Sequence, residues 1–364
     1  MAILKENIKT ICRLVPSENN PRNSEGDFIR LNDGRIMYAF SRYSGDNWDD
    51  HCPCSIAAIF SDDNGETFSE EPVILIRASE FGEKNVMSVS LLKMQNGDTG
   101  VFFILKRPYG TIEYYLKRSN DDCKSFYGCV KCIPEIFDGY YVTNNNRVIR
   151  TSGNRIIIPA SLHRVANKEG ELYFDGRAVS YFYYSDDDGY TWKEAPGCVY
   201  MPDGKYTDTG LQEAGVVELD NCLYAYFRTD MYAQYESISI DGGMNWTTAQ
   251  PSKFTSPTSP MKITYNPYLS PKKYYSIWNP IPIYNGRGIS PYGWGRAPIV
   301  IAESPDGLNF DPYITLDDDP ERGYCYPAMY FLDAETALVA YCSGGVARES
   351  ICLTGVTIKK IKFT

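Results

Sequence analysis

A chain of 364 residues, 43% apolar and 23% charged, can bury a core and is not disordered, and its length fits either two ordinary domains or one large repetitive one. Lys and Arg number 36 against 46 Asp and Glu, a net charge of −10 that excludes a nucleic-acid partner and a polybasic membrane anchor. Aromatic residues make up 14%, with 30 Tyr, and 29 Gly and 22 Pro supply many turns, so the composition leans all-β.

The first residues carry neither a long apolar stretch nor a small-residue cleavage pattern, so a cytoplasmic location is expected, or a secreted one if the chain is truncated. No stretch approaches the roughly 18 to 20 apolar residues of a membrane span. A strand is predicted near Ile8 to Leu14, then a hairpin with arms Phe28–Leu31 and Arg35–Phe40. After a loop containing Asp49 and Asp50, the strand Ser55–Phe60 runs into Ser61-Asp-Asp-Asn-Gly-Glu-Thr-Phe68, which fits S-x-D-x-G-x-T-W/F. The pattern returns at Ser119–Phe126 with Cys123 in the Gly position, after the strand Ala178–Tyr184 at Ser185–Trp192, at Ser239–Trp246, and shortened at Ser304–Phe310. In each copy Asp can bond backbone amides, Gly can take positive φ, and the aromatic ring can fold back on the hairpin.

Five copies 54 to 66 positions apart predict a β-propeller, because such repeats cannot bury a face alone and pack radially. Hairpins at Val216–Phe227 and Met329–Tyr341 fit the same plan, the latter without a box, giving six blades. The terminal strand Ile351–Ile358 and the N-terminal strand are expected to close the ring within one blade. The Ser/Thr/Pro-rich loop Thr255–Asn266 is too short for a boundary, so residues 1–364 are read as a single domain. Eleven Cys, from Cys12 to Cys352, read as mostly free buried thiols in a reducing compartment. Cys52/Cys54 and Cys129/Cys132 lack a second pair at zinc spacing, and with only His51 and His163 no metal or cofactor is expected.

These boxes on a six-bladed propeller resemble those of the sialidase (neuraminidase) superfamily, especially bacterial exo-sialidases with BNR repeats, over nearly the whole chain. The resemblance implies three arginines that clamp a substrate carboxylate, a Tyr paired with a Glu as nucleophile, and an Asp as acid/base. Gln212-Glu213 opening one strand and Arg228 ending the next imply Glu213 as the base partner and Arg228 as a clamp residue. Arg296, opening the strand into the last box, is the second arginine, and Tyr326 rather than Tyr324 falls in the nucleophile's register. Asp50, with Asp49 as the alternative, occupies the acid/base loop. Arg22 is the candidate first arginine, although the family's Arg-Ile-Pro is replaced here by Asn20-Pro-Arg22-Asn. If Arg22 does not reach the carboxylate, two arginines remain and another acidic sugar becomes the alternative substrate.

The chemistry is coherent residue by residue. An anomeric carboxylate would repel a carboxylate nucleophile, whereas a neutral phenol avoids that charge. A phenol is a weak nucleophile near neutrality and needs an adjacent base, here Glu213. Arginines pair bidentately with a carboxylate and are expected to lower the phenol pKa. A protonated Asp50, raised by burial or neighbouring carboxylates, would donate to the leaving oxygen. The expected activity is therefore retaining hydrolysis of a terminal sialic or related nonulosonic acid from a glycan or glycoconjugate. Boxes also occur in non-enzymatic propellers, so a non-catalytic carbohydrate-binding propeller is the competing class.

Overall fold

The computed structural model describes residues 3–107, 111–134, 139–168, 171–283, 291–345 and 351–363. Among them the strands form six antiparallel sheets arranged as the blades of a propeller. Blade I comprises Asn23–Arg30, Ile36–Tyr43, Cys54–Ser61 and Val73–Arg77. Blade II comprises Val86–Lys93, Thr99–Lys106, Ile112–Ser119 and Tyr127–Lys131. Blade III is built on Gly139–Val142, Ile156–Lys168, Val179–Ser185 and Lys193–Glu194, with short strands at Ile149–Arg150 and Glu171–Phe174 paired to its long second strand. Blade IV comprises Gln212–Glu218, Leu223–Arg228, Ala233–Ser239 and Gln250–Thr255, and blade V Lys262–Tyr265, Tyr274–Trp278, Ile299–Ser304 and Tyr313–Asp317. Helical turns among the described residues include Ala78–Phe81 and Gly204–Tyr206, and no helix is long and apolar enough to cross a membrane.

Blade VI joins the two ends of the chain. Cys325–Phe331, Thr336–Cys342 and Val356–Phe363 are completed by Ile3–Leu14, which pairs antiparallel to the third strand from Leu14↔Val356 to Ile3↔Phe363. The closure follows the sequence expectation, but the terminal strand begins at Val356 instead of Ile351. Ile351-Cys-Leu-Thr354 is apolar enough to read as strand, yet it turns, with Thr354 N donating to Ile351 O, and buries its side chains against Cys325 and Cys342. The N-terminal strand starts at Ile3, earlier than expected, because an outer strand half in water carries charged residues that hide its alternation.

The five boxes occupy the turn between the third and fourth strands of blades I to V. Blade VI has no such turn, since its third strand is near the C-terminal end and its fourth near the N-terminal end, which is why six blades carry five boxes. In the third box Ser185 Oγ donates to Asp187 Oδ1 at 2.7 Å, Gly189 N donates to Ser185 Oγ at 2.7 Å, and Thr191 gives Asp187 both its N–H and its hydroxyl. Trp192 Nε1 then closes onto Gly189 O at 3.1 Å. Cys123 repeats the glycine's role at φ 63°, its N–H on Ser119 Oγ. Each box leans on the preceding blade: Trp192 packs on Phe102 of blade II, and Trp246 stacks on Phe182 of blade III at 4.1 Å. Six apolar clusters, one at each blade interface, form the core.

First strands of blades VI, I and II and of blades IV, V and VI touch and therefore line the axis, and blade III meets blade IV through its long second strand. Antiparallel alternation places the starts of these strands, and the connections between second and third strands, at the end opposite the boxes.

Candidate active site

Four of the axial strands are interrupted at the same step near their start, three of them with a left-handed residue at the break. Register shifts fall at Met87/Ser90, Gln212/Gly215 and Cys325/Ala328, and the residues there with left-handed backbone are Ser88 (φ 57°), Glu213 (φ 49°) and Tyr326 (φ 54°). Blade I has the corresponding shift at Asn23/Gly26, where Glu25 sits. A bulge adds one residue to one strand and re-aims its side chain, here into the mouth of the channel. Positive φ at a non-glycine residue costs on the order of 1–2 kcal/mol and is held only by its surroundings.

Arg22, Asp50, Glu213, Arg228, Arg296 and Tyr326 all line one cavity of about 270 Å³ at this end. The Tyr326 hydroxyl donates to Glu213 Oε1 at 2.9 Å, and Arg228 Nη1 donates to Glu213 Oε2 at 2.8 Å. Burial alone would raise the Glu213 carboxyl, but Arg228, with Arg296 and the tyrosine hydroxyl behind it, holds it below its ordinary range. Burial and the Glu213 charge push the Tyr326 phenol well above its ordinary range, and Arg228 and Arg296 lower it without prevailing. The arginines act on the phenol in the expected direction, but burial and Glu213 outweigh them, and the resting pair is a neutral phenol donating to a carboxylate. Arg296 donates to Thr258 O through Nε and Nη2 and lies over the Trp294 ring at 5.0 Å.

Arg22 is buried and stacks over the Tyr43 ring at 4.3 Å. Its Nη1 donates to Asp50 Oδ1 at 2.5 Å and to Trp48 O at 3.3 Å, while Nη2 lies 3.5 Å from Glu25 Oε2. Arg22 thus reaches the cavity without the Ile-Pro of the family pattern. Asp50, with half its side chain exposed, departs from expectation in its charge. Burial would raise its pKa, but the Arg22 and Lys106 charges hold it below the usual carboxylate range, so it is ionised in the resting site. Asp49 points elsewhere, its Oδ1 accepting the His51 N–H.

Sequence reasoning missed Glu25, Lys106 and His163. Glu25 is buried and accepts from Ser24, Ser41 and Ser88. Its signal was present in the i, i+3 spacing to Arg22, but nothing in the sequence marks the bulge that turns it inward. Lys106 Nζ donates to Asp50 O at 2.7 Å, which fixes the loop that carries Asp50. His163 lines the cavity with its ring stacked on Phe174 at 4.9 Å and its Nδ1 3.2 Å from Asp175 O, and burial lowers its pKa.

The pattern of the BNR repeat-like domain matches residues 90–336. The chain belongs to this family. No curated protein matches it significantly. Among solved structures, a Dyadobacter fermentans protein of unknown function superposes with a TM-score of 0.68 at 18% identity, covering 98% of this chain and 100% of its own. The Hadza microbial sialidase Hz136 gives 0.69 at 15%, with 94% of this chain and 66% of its own covered. A Trypanosoma rangeli sialidase in complex with sialic acid gives 0.71 at 15%, with 99% and 60% covered. At such identities the likeness establishes the family's sialidase-like propeller fold, and the chain spans about two thirds or less of both sialidases.

Proposed function

We propose that the protein is a retaining exo-glycosidase of sialidase type that releases a terminal sialic or related nonulosonic acid from a glycan. The observation that carries this is the Tyr326–Glu213 hydrogen bond inside a cavity that also holds Arg22, Arg228 and Arg296. Tyr326 Oη attacks the anomeric carbon while Glu213, already its acceptor, takes the proton, and the sugar is held transiently on the phenol oxygen. Asp50 gives a proton to the leaving oxygen and then takes one from the water that releases the sugar.

Electrostatics support an anionic sugar. Arg22, Lys106, Arg228 and Arg296 face Glu25, Asp50 and Glu213 in the cavity, one formal positive charge in excess within a chain of net −10. A ligand carboxylate on Arg22 takes the place of Asp50 there, and loss of that ion pair lifts the Asp50 pKa toward the value an acid needs. The experiment is release of a fluorogenic sialoside by the purified protein, with Tyr326→Phe as control. Turnover by the wild type alone is expected, and equal rates from both would defeat the proposal.

One observation favours a second substrate. Arg22 is already engaged by Asp50 and approached by Glu25, which leaves Arg296 as the arginine of the three without a carboxylate partner among the described residues. Another acidic keto sugar or a uronate, gripped less symmetrically, suits that arrangement. A screen across anionic glycosides separates the two, and a clear preference for sialosides removes the second.

A further inference from the structure

Behind Arg296 and Tyr326 lie three buried thiols that the proposed chemistry does not use. Cys325 immediately precedes Tyr326 and pairs in register with Cys342, and Cys352 sits in the turn that reads falsely as strand. Cys325 Sγ and Cys352 Sγ are 3.9 Å apart, and Arg296 Nη1 points at Cys352 Sγ from 3.8 Å. Ser24 Oγ is 3.6 Å from Cys342 Sγ. Arg296 is 3% exposed and has no carboxylate within ion-pair distance among the described residues. A buried guanidinium without an ion-paired counter-ion is costly, and the groups that would stabilise it most as anions are Cys325 and Cys352, ahead of Tyr326 and Glu213. Burial would raise the Cys325 thiol, but the hydrogen bonds of Cys342 and Cys352 and the Arg296 charge hold it well below its ordinary range, whereas burial keeps Cys342 and Cys352 well above theirs. Cys325 is therefore the thiolate, and the thiolate is the form that reacts.

We propose that Cys325 and Cys352 form a redox modification site at the back of the cavity, taking a two-electron oxidant of the hydroperoxide class and closing to a disulfide. The Cys325 thiolate attacks one peroxide oxygen, the O–O bond breaks, and the hydroxide that leaves takes a proton to become water. The Cys352 thiol then attacks the sulfenic sulfur, forming the S–S bond and expelling the second water. Two thiols and one hydrogen peroxide thus give one disulfide and two waters. The sulfurs, now in contact, must close to about 2.05 Å, which draws the 351–354 turn toward the axial strand. Cys352 then no longer offers Arg296 an anionic or thiol acceptor, and Tyr326 is bonded directly to a residue that has moved. Between thiols and cavity stand Tyr326, Arg296 and Leu353, so access is through the substrate's own entrance.

The test is graded hydrogen peroxide on the full chain, followed by alkylation and peptide mass mapping without reduction. Exposed Cys129 and Cys198 serve as internal controls for oxidant dose. A Cys325–Cys352 linked peptide, two hydrogens lighter than its parts and restored by dithiothreitol, is expected, and either Cys325→Ser or Cys352→Ser must abolish it. Cys325 remaining alkylatable at doses that oxidise both exposed thiols, or linking to Cys342 instead, would overturn the assignment. The readout is the linkage itself, so it stands or falls apart from the glycosidase proposal. If both hold, peroxide removes at least tenfold of the activity in the wild type, reversibly, and not in a Cys352→Ser protein.

Discussion

Tyr326 and Glu213 belong to blades VI and IV, yet the hydroxyl of one rests 2.9 Å from the carboxylate of the other, and each stands on a left-handed residue at the same step of its axial strand. The strain and the contact have one cause, since each bulge both breaks the ladder and turns the side chain inward. Two readouts separate them. Glu213→Gln keeps the shape but removes the base, and kcat/KM for the fluorogenic sialoside is expected to fall on the order of 100-fold or more. Glu213→Gly and Glu213→Ala both remove the side chain, but only glycine relaxes φ 49°, so in urea unfolding the Gly variant should exceed the Ala variant by about 1 kcal/mol. Equal midpoints would mean the backbone there is not strained.

Asp50 holds Arg22 in the place a ligand carboxylate would take. Asp50→Asn weakens that hold without changing the loop's size. Calorimetric titration with free N-acetylneuraminic acid is expected to give a several-fold lower Kd than for the wild type, while sialoside turnover falls on the order of 100-fold. Weaker binding together with slower turnover would instead make Asp50 a support that orients Arg22.

Deeper in the channel, Lys262 Nζ donates to Asn146 O at 2.5 Å and shares the space with Arg147 and Asp27. Burial, then Arg147, lowers its pKa to about 7, against an ordinary 10.5, so the charged form is disfavoured in the fold. That penalty is complete below about pH 7 and is relieved as pH rises toward 10.5. Asp27, raised to about 6 mainly by burial, has completed its own change below this window. Between pH 7 and 9.5 the wild type should therefore gain stability relative to Lys262→Met, on the order of 2 kcal/mol, as measured by urea midpoints at the two pH values. Parallel pH profiles would refute the buried titration.

The boxes test separately from the site. Burial is the largest single influence on Asp187 and would raise its pKa, but together the hydrogen bonds it accepts from Ser185, from the Thr191 N–H and from the Thr191 hydroxyl outweigh it and lower its pKa. Asp187→Ala leaves those donors facing water at the far end of the propeller. A loss of about 1–2 kcal/mol in stability, with unchanged turnover per folded molecule, is expected from thermal unfolding and from rates corrected for the folded fraction.

Much of this architecture was legible because the boxes are local: Ser, Asp, Gly and the ring lie within eight residues and impose their own geometry. The blade without a box was legible through its hairpin and through the expected closure by the two terminal strands, which leaves it no turn in which a box could sit. The site residues were reachable by family resemblance, but their electrostatic state was not. Asp50 is ionised because Arg22 and Lys106, distant in sequence, converge on it, and Tyr326 stays protonated because burial outweighs two arginines. Glu25 and the thiol group escaped notice for a related reason, since a bulge shifts a side chain from one face to the other and no composition signal records it.

The pairing of Ile3–Leu14 with Val356–Phe363 has a kinetic corollary. During synthesis five blades can stack in order as they emerge, but the seam between blades VI and I stays open until the last strand is made. Arg22 and Glu25 lie on one side of that seam, Tyr326 and the thiols on the other. A ribosome-bound chain lacking Val356–Phe363 would therefore carry most of the propeller without the closed cavity, and the loop-closure entropy of some 350 residues falls on this one step. Moving the chain ends to another blade by circular permutation would shift that late step away from the catalytic mouth.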